Sequence, residues 1–178
     1  FGCRVFGTGS SDEKIRLLED LNVDVPINYK KTDFTEIVRS DQDGGGIDVV
    51  LEVVGGDVFK KSRDLLNPFG RIVVAGFASL DLNKWNPLSW FKTYRAIPKA
   101  SVAKLGESST GFMATHLGYL LKKPKLMTKI WNDLSEFIQK HSIKPIVGHS
   151  FNFNEISKAH ELMESRKSKG KIVIKVSD

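Results

Sequence analysis

Apolar positions along the chain follow two alternating patterns. Short runs rich in β-branched residues are separated by stretches in which apolar residues recur every three or four positions. Arg4-Val5-Phe6 is predicted as a short strand, with Gly7-Thr8-Gly9 as the turn that ends it. Ser10 and Glu13 have capping-box spacing. The helix they open is predicted to reach about Leu21, with Ile15, Leu18 and Leu21 on one face. Val25-Pro26-Ile27-Asn28-Tyr29 is predicted as a strand, and Pro26, which has no N–H to donate, places it at an edge or a strand start. Asp33 caps a short helix carrying Phe34, Ile37 and Val38, and Asp43-Gly44-Gly45-Gly46 is a loop. Ile47 to Val54 is predicted as a buried strand stopped by Gly55-Gly56. A helix over Val58 to Leu66, a turn at Pro68-Phe69-Gly70 and a second buried strand over Arg71 to Gly76 follow.

The next stretch, 77–123, is less regular. Trp85, Trp90, Phe91 and Tyr94 form an aromatic segment suited to a lid or to packing against a neighbouring domain. Ala100 to Leu105 is predicted as a strand. From Pro124 to about His141 a helix is predicted, because Leu126, Ile130, Leu134 and Ile138 repeat every four residues and Trp131 and Phe137 broaden that face. A strand near Gly148–Phe151, a helix from Asn154 to Ser165 and a final strand from Lys171 to Val176 complete the chain. Strands separated by helices of about ten residues indicate α/β architecture with a parallel, doubly wound sheet.

Composition narrows the picture. The 178 residues suit one domain or slightly more, and 40% hydrophobic content is enough for a core. The longest apolar runs are about five residues, as at Ile72-Val73-Val74-Ala75, against the roughly 20 a membrane-spanning helix needs. The chain opens on Phe1 rather than Met, which suggests a piece of a longer protein. Cys3 is the one cysteine, so there is neither an internal disulfide nor a cysteine-based zinc site, and a reducing, cytoplasmic setting fits. Net charge is +6, but the lysines fall in scattered pairs, Lys30-Lys31, Lys60-Lys61 and Lys122-Lys123. Without an aromatic-interleaved basic stripe, this reads as a solvated surface plus one anionic ligand rather than a nucleic-acid interface. His116, His141, His149 and His160 are not paired at metal-ligand spacing.

Two sets of residues carry candidate chemistry. After the first strand come Ser10, Ser11 and Lys14 at a helix N-terminus, which favours anions, while Tyr29 and Lys30 leave the next strand. This is either a phosphate site or a plain cap beside a solvated lysine, and Asp12 and Glu13 add opposing charge. Ser108, Tyr119 and Lys123 have the spacing of the short-chain dehydrogenase triad. That chemistry needs the tyrosine and lysine on one continuous helix, and Pro124 directly after Lys123 argues against it.

The motifs Phe6-Gly7-Thr8-Gly9-Ser10 with Lys14, Ile27-Asn28-Tyr29, Asp48 to Gly56, Gly70 to Gly76 and Gly170-Lys171-Ile172-Val173-Ile174 occur in one order. Together they resemble the C-terminal part of the quinone-oxidoreductase branch of the medium-chain, zinc-type alcohol dehydrogenase-like superfamily. Gly111-Phe112 and His116-Leu117-Gly118-Tyr119-Leu120 are similar to the subgroup of vesicle amine transport protein-1. The resemblance implies a Rossmann-like nucleotide-binding domain over 1–178, without its first strand, glycine loop and first helix, and without the GroES-like catalytic domain. Strand order 3-2-1-4-5-6 in such sheets then leaves a gap in the middle. It further implies NADPH as cofactor and zinc-independent hydride transfer to a quinone or enone-like acceptor. Ser10, Ser11, Lys14 and Tyr29 would hold the adenosine phosphate, and Val53, Val54, Gly55, Gly76 and Phe77 would line the groove. Related reductases form homodimers, for which Ala100–Leu105 is the expected edge strand. The competing reading is a non-catalytic module that uses its lysine pairs and aromatic segment on a membrane or partner.

Overall fold

The computed structural model describes residues 2–41, 45–76, 99, 101–165 and 167–177. The chain forms two compact units, Phe1–Tyr119 and Leu120–Asp178.

In the first unit, β1 (Phe6–Gly9) leads through α1 (Asp12–Asp20) to β2 (Val25–Asn28), and the two strands pair in parallel, Phe6 with Val25 through Gly9 with Asn28. Helix α2 (Phe34–Arg39) follows, capped by Asp33, whose carboxylate accepts from the Thr35 N–H. A second parallel sheet has the order β3 (Ile47–Glu52), β4 (Leu66–Val74), β5 (Gly111–Ala114). It is crossed by α3 (Gly56–Arg63) and α4 (Val102–Ser108), and the short α5 (Leu117–Leu120) follows β5. The two sheets share no ladder among the described residues, which is the break in the middle that the resemblance implies.

The core of this unit is Phe59, Ile72 and Val74, with Val50, Leu66 and Phe112 against it. Phe59 and Phe112 meet edge to face with centroids 5.5 Å apart, a geometry that adds to area burial. Helix α3 thus rests on the face where β4 and β5 present their inward side chains.

Four expectations change. Gly7-Thr8-Gly9 belongs to β1 instead of ending it, so the helix cap moves from Ser10 to Ser11, whose Oγ faces the Lys14 N–H at 3.4 Å. The strand expected to be buried at Ile47–Val54 is open on one face, with Val49 62% and Leu51 78% exposed. Pro68-Phe69-Gly70 is a kink within β4 rather than a turn before it. β3 advances from Ile47 to Val49 while β4 advances from Leu66 to Arg71, and Phe69 takes a positive φ of 65°. Gly70 is required there because a Cβ would lie 2.7 Å from the Asn67 carbonyl oxygen.

The fourth change concerns Ala100–Leu105. Ala100 lies outside the described residues, but Val102 to Ser108 is helix α4, entered from an extended Ser101 and closed by a left-handed Ser109. Ala103, Lys104 and Leu105 are good helix formers, and their propensity outweighs the lone β-branched Val102. The segment therefore supplies no edge strand for a dimer. β5 is the strand at that side of the described sheet. The aromatic segment Trp85–Tyr94 lies outside the described residues.

In the second unit, α6 (Pro124–Lys140) starts with proline in its first turn, as expected. Its stripe of Leu126, Ile130, Leu134 and Ile138 stays between 38% and 46% exposed. β6 (Val147–Asn152) and β7 (Lys171–Lys175) pair in parallel around α7 (Ile156–Glu164), which buries Ala159. No helix among the described residues is long and apolar enough to cross a membrane.

Asp33 also receives Lys61 Nζ of α3, so one carboxylate caps α2 and ties it to the neighbouring sheet's helix. The Lys61 ammonium, then the Thr35 N–H and hydroxyl, hold its pKa down from 3.8 to about 2. Because the folded value is the lower one, its stabilising effect is complete above the unfolded pKa and fades as pH falls towards 2. We expect Asp33→Asn to flatten part of the decline in melting temperature between pH 4 and 2, read by thermal scans at fixed ionic strength. An unchanged acid limb would refute the assignment.

Candidate functional site

Parallel strands place all their carboxyl ends on one edge of a sheet, where ligands of open α/β sheets bind. In the first unit this creates two strand-end clusters, one per sheet.

The first cluster lies at the ends of β1 and β2. Gly9 is buried, and a Cβ there would stand 3.1 Å from Lys14 Cβ and 3.3 Å from Ile15 Cδ1, so the α1 backbone sits close over the strand tip. The Tyr29 N–H donates to the Gly9 carbonyl at 3.1 Å, which carries the half-exposed tyrosine to the same end. Ser10, Ser11, Lys14 and Tyr29 are therefore grouped at one strand end. The opposing charge of Asp12 is already engaged. Its carboxylate accepts from Lys31 Nζ at 2.7 and 2.8 Å and from Asn28 Nδ2 at 3.0 Å. These donors, the Lys31 hydrogen bond first, lower the Asp12 pKa from 3.8. The sequence pointed to Lys30 beside Tyr29 at this strand end, and not to Lys31. The Lys30 N–H instead closes on the Asn28 side chain at 3.1 Å.

The second cluster lies at the ends of β3 and β4. Val53 and Val54 leave β3 with 51% and 36% exposure. Gly55 has φ 84° and ψ −165°, a region open only to glycine, and Gly56 follows with φ 58°. Gly76 lies beside this turn: its Cβ, if present, would be 3.7 Å from the Val53 carbonyl oxygen. Phe77 lies outside the described residues. Sequence reading passed over Glu52, which is only 2% exposed. Its Oε1 accepts from the N–H groups of Val54 (2.8 Å) and Gly55 (2.9 Å), and Oε2 accepts from Gly55 at 3.0 Å. The available signal was an acid at the end of an apolar strand, directly before two valines and two glycines.

The short-chain dehydrogenase spacing is coincidental. Tyr119 is on α5, while Lys123 has φ −125° and ψ 71° and precedes α6, so no continuous helix carries both. Ser108 Oγ donates to the Lys104 carbonyl within its own helix. Among the described residues no group of three or more His, Cys, Asp or Glu side chains could hold a metal ion.

Parallel sheets, alternating helices and glycine-lined strand ends define a Rossmann-like nucleotide-binding class. The zinc-binding dehydrogenase family model matches residues 21–174, and the chain belongs to that family. It is 28% identical over 171 residues to the synaptic vesicle membrane protein VAT-1 homolog of Rattus norvegicus, covering 96% of this chain and 42% of that protein. It is 27% identical over 176 residues to the quinone oxidoreductase-like protein 2 homolog of Nematostella vectensis, covering 98% of this chain and 44% of that one. A mycobacterial protein solved in complex with NADPH superposes with a TM-score of 0.73 at 25% identity, covering 97% of this chain and 49% of the other. The chain thus spans less than half the length of these relatives.

The Gly55 backbone leads to a direct expectation. Gly55→Ala should destabilise the first unit by about 1–3 kcal/mol, because no other residue takes this conformation without strain. Urea unfolding measures it, and wild-type stability would show that the turn relaxes freely.

Proposed function

We propose that this chain is the cofactor-binding part of an NADPH-dependent, zinc-independent oxidoreductase that passes hydride to a quinone or enone-like acceptor. The observation that carries the proposal is the cluster at the ends of β1 and β2. The strand tip itself holds glycine, threonine and serine where an NAD-binding sheet places an acid for the ribose hydroxyls. Hydroxyls, a lysine and a tyrosine surround it, and the nearby Asp12 is engaged by Lys31 and Asn28.

These residues fit a phosphorylated adenosine. The close approach of α1 to Gly9 brings the Ser11-capped helix start and Lys14 to the strand end, where N–H dipoles and an ammonium favour an anion. Ser10, Ser11, Lys14 and Tyr29 would hold the 2′-phosphate. Val53, Val54, Gly55 and Gly76 offer a small, largely apolar surface along which the remainder can lie. When bound, the nicotinamide supplies the hydride; the chain's own part is to orient it and exclude water. The relative solved with NADPH and the quinone oxidoreductase-like relative support cofactor and acceptor class.

The test is binding of NADPH and NADH to the full native protein, followed by nicotinamide fluorescence. Lys14→Ala should weaken NADPH roughly tenfold, the size of one charge-assisted hydrogen bond, and NADH far less. Equal loss for both cofactors would remove the phosphate assignment. The 178-residue chain alone is expected to show no NADPH-dependent quinone reduction, because the acceptor must also be held against the cofactor. Turnover by the isolated chain, free of contaminating enzyme, would contradict this.

A further inference from the structure

Glu52 is a buried acid for which the proposed cofactor contacts give no role. It and Ser62 are the buried polar residues of the described chain. Burying a carboxylate is costly unless it is well hydrogen-bonded, and here the partners are backbone donors of the turn that follows. The Val54 and Gly55 N–H groups close on it at 2.8–3.0 Å. The Glu52 backbone carbonyl also accepts from the Ala75 N–H at 2.9 Å, beyond the Glu52–Val74 pair of the ladder. One residue therefore joins both strand ends, its carboxylate holding the turn after β3 and its carbonyl the chain leaving β4.

We propose that Glu52 is a positioning residue, whose buried carboxylate fixes the Val53–Gly56 turn against the end of β4 and so sets the wall that meets the cofactor. The inference rests on the cofactor reading above. It also specifies what that wall can touch. The N–H groups of Val54 and Gly55 are turned inward to the carboxylate, so they are not offered to a ligand phosphate. The wall presents Val53 and Val54 to an uncharged part of the ligand, and the 2′-phosphate is left to the cluster at the ends of β1 and β2.

The experiment compares Glu52→Gln, Glu52→Asp and, as a destabilised control, Val38→Ala at a buried position of α2, in the full native protein. NADPH dissociation constants are measured well below each melting temperature, and amide hydrogen exchange is followed at Val54 and Gly55. Glutamine keeps one oxygen in reach of both N–H groups, so its dissociation constant should stay within about threefold of wild type. Aspartate keeps the charge but is one methylene too short; NADPH should bind roughly tenfold more weakly, the scale of one lost buried hydrogen bond, and exchange at Val54 and Gly55 should accelerate. Val38→Ala should melt earlier with unchanged affinity. Wild-type affinity in Glu52→Asp, or affinity loss in Val38→Ala matching its loss of stability, would overturn the positioning role while leaving the cofactor reading intact. Failure of the unaltered protein to bind NADPH would overturn both.

Discussion

The parallel ladder between β3 and β4 is the constraint on which the first unit depends. Pairing Val49 with Arg71 through Glu52 with Val74 turns one face of each strand towards α3. That brings Val50, Ile72 and Val74 under Phe59. The same pairing makes both strands stop on one level, so Val53–Gly55 and Ala75–Gly76 emerge side by side. Core and candidate site are therefore two results of one register. A slip by a single residue would send the core side chains to the opposite face and separate the two strand ends.

The helices and most strands were legible because each carries a strong local pattern. The four-residue repeat of α6, Asp33 at the cap of α2 and Pro124 in the first turn of α6 all act within a few residues of the element they mark. Where the reading failed, the deciding interaction was non-local or the local signals conflicted. Gly7-Thr8-Gly9 looks like a turn, but pairing with Pro26, Ile27 and Asn28 keeps it extended. Val102 and its apolar neighbours suggested a strand, while Ala103, Lys104 and Leu105 favour the helix that forms. The burial of β3 was overestimated because an apolar run shows that a strand can be covered, not whether each face is.

The candidate site was legible in the same uneven way. Hydroxyls, a lysine and glycines at strand ends are types whose use can be argued from chemistry and position. Lys31 escaped because its contact with Asp12 lies 19 residues away, and Glu52 because its carboxylate turns back onto the two N–H groups that follow it. Lys31 and Lys30 are adjacent residues of one type, and only the folded chain shows that Lys31 reaches Asp12. Glu52 lies at the end of a strand, where alternation makes inward and outward positions differ by one residue, and its inward setting was not readable from an apolar run with Asp48 at the other end.

Among the described residues β3 is an edge strand with one open face, which bears on contact with other chains. A strand that is an edge among the described residues, with Val49 and Leu51 uncovered, is a template for any other extended chain it meets. Asp48, which is exposed and receives Asn67 Nδ2 at 3.0 Å, places a charge near the start of that edge. Such a residue acts as a gatekeeper against stacking of like strands. The acid near the start of the strand thus interrupts an apolar edge, while the acid at its end holds the turn that follows.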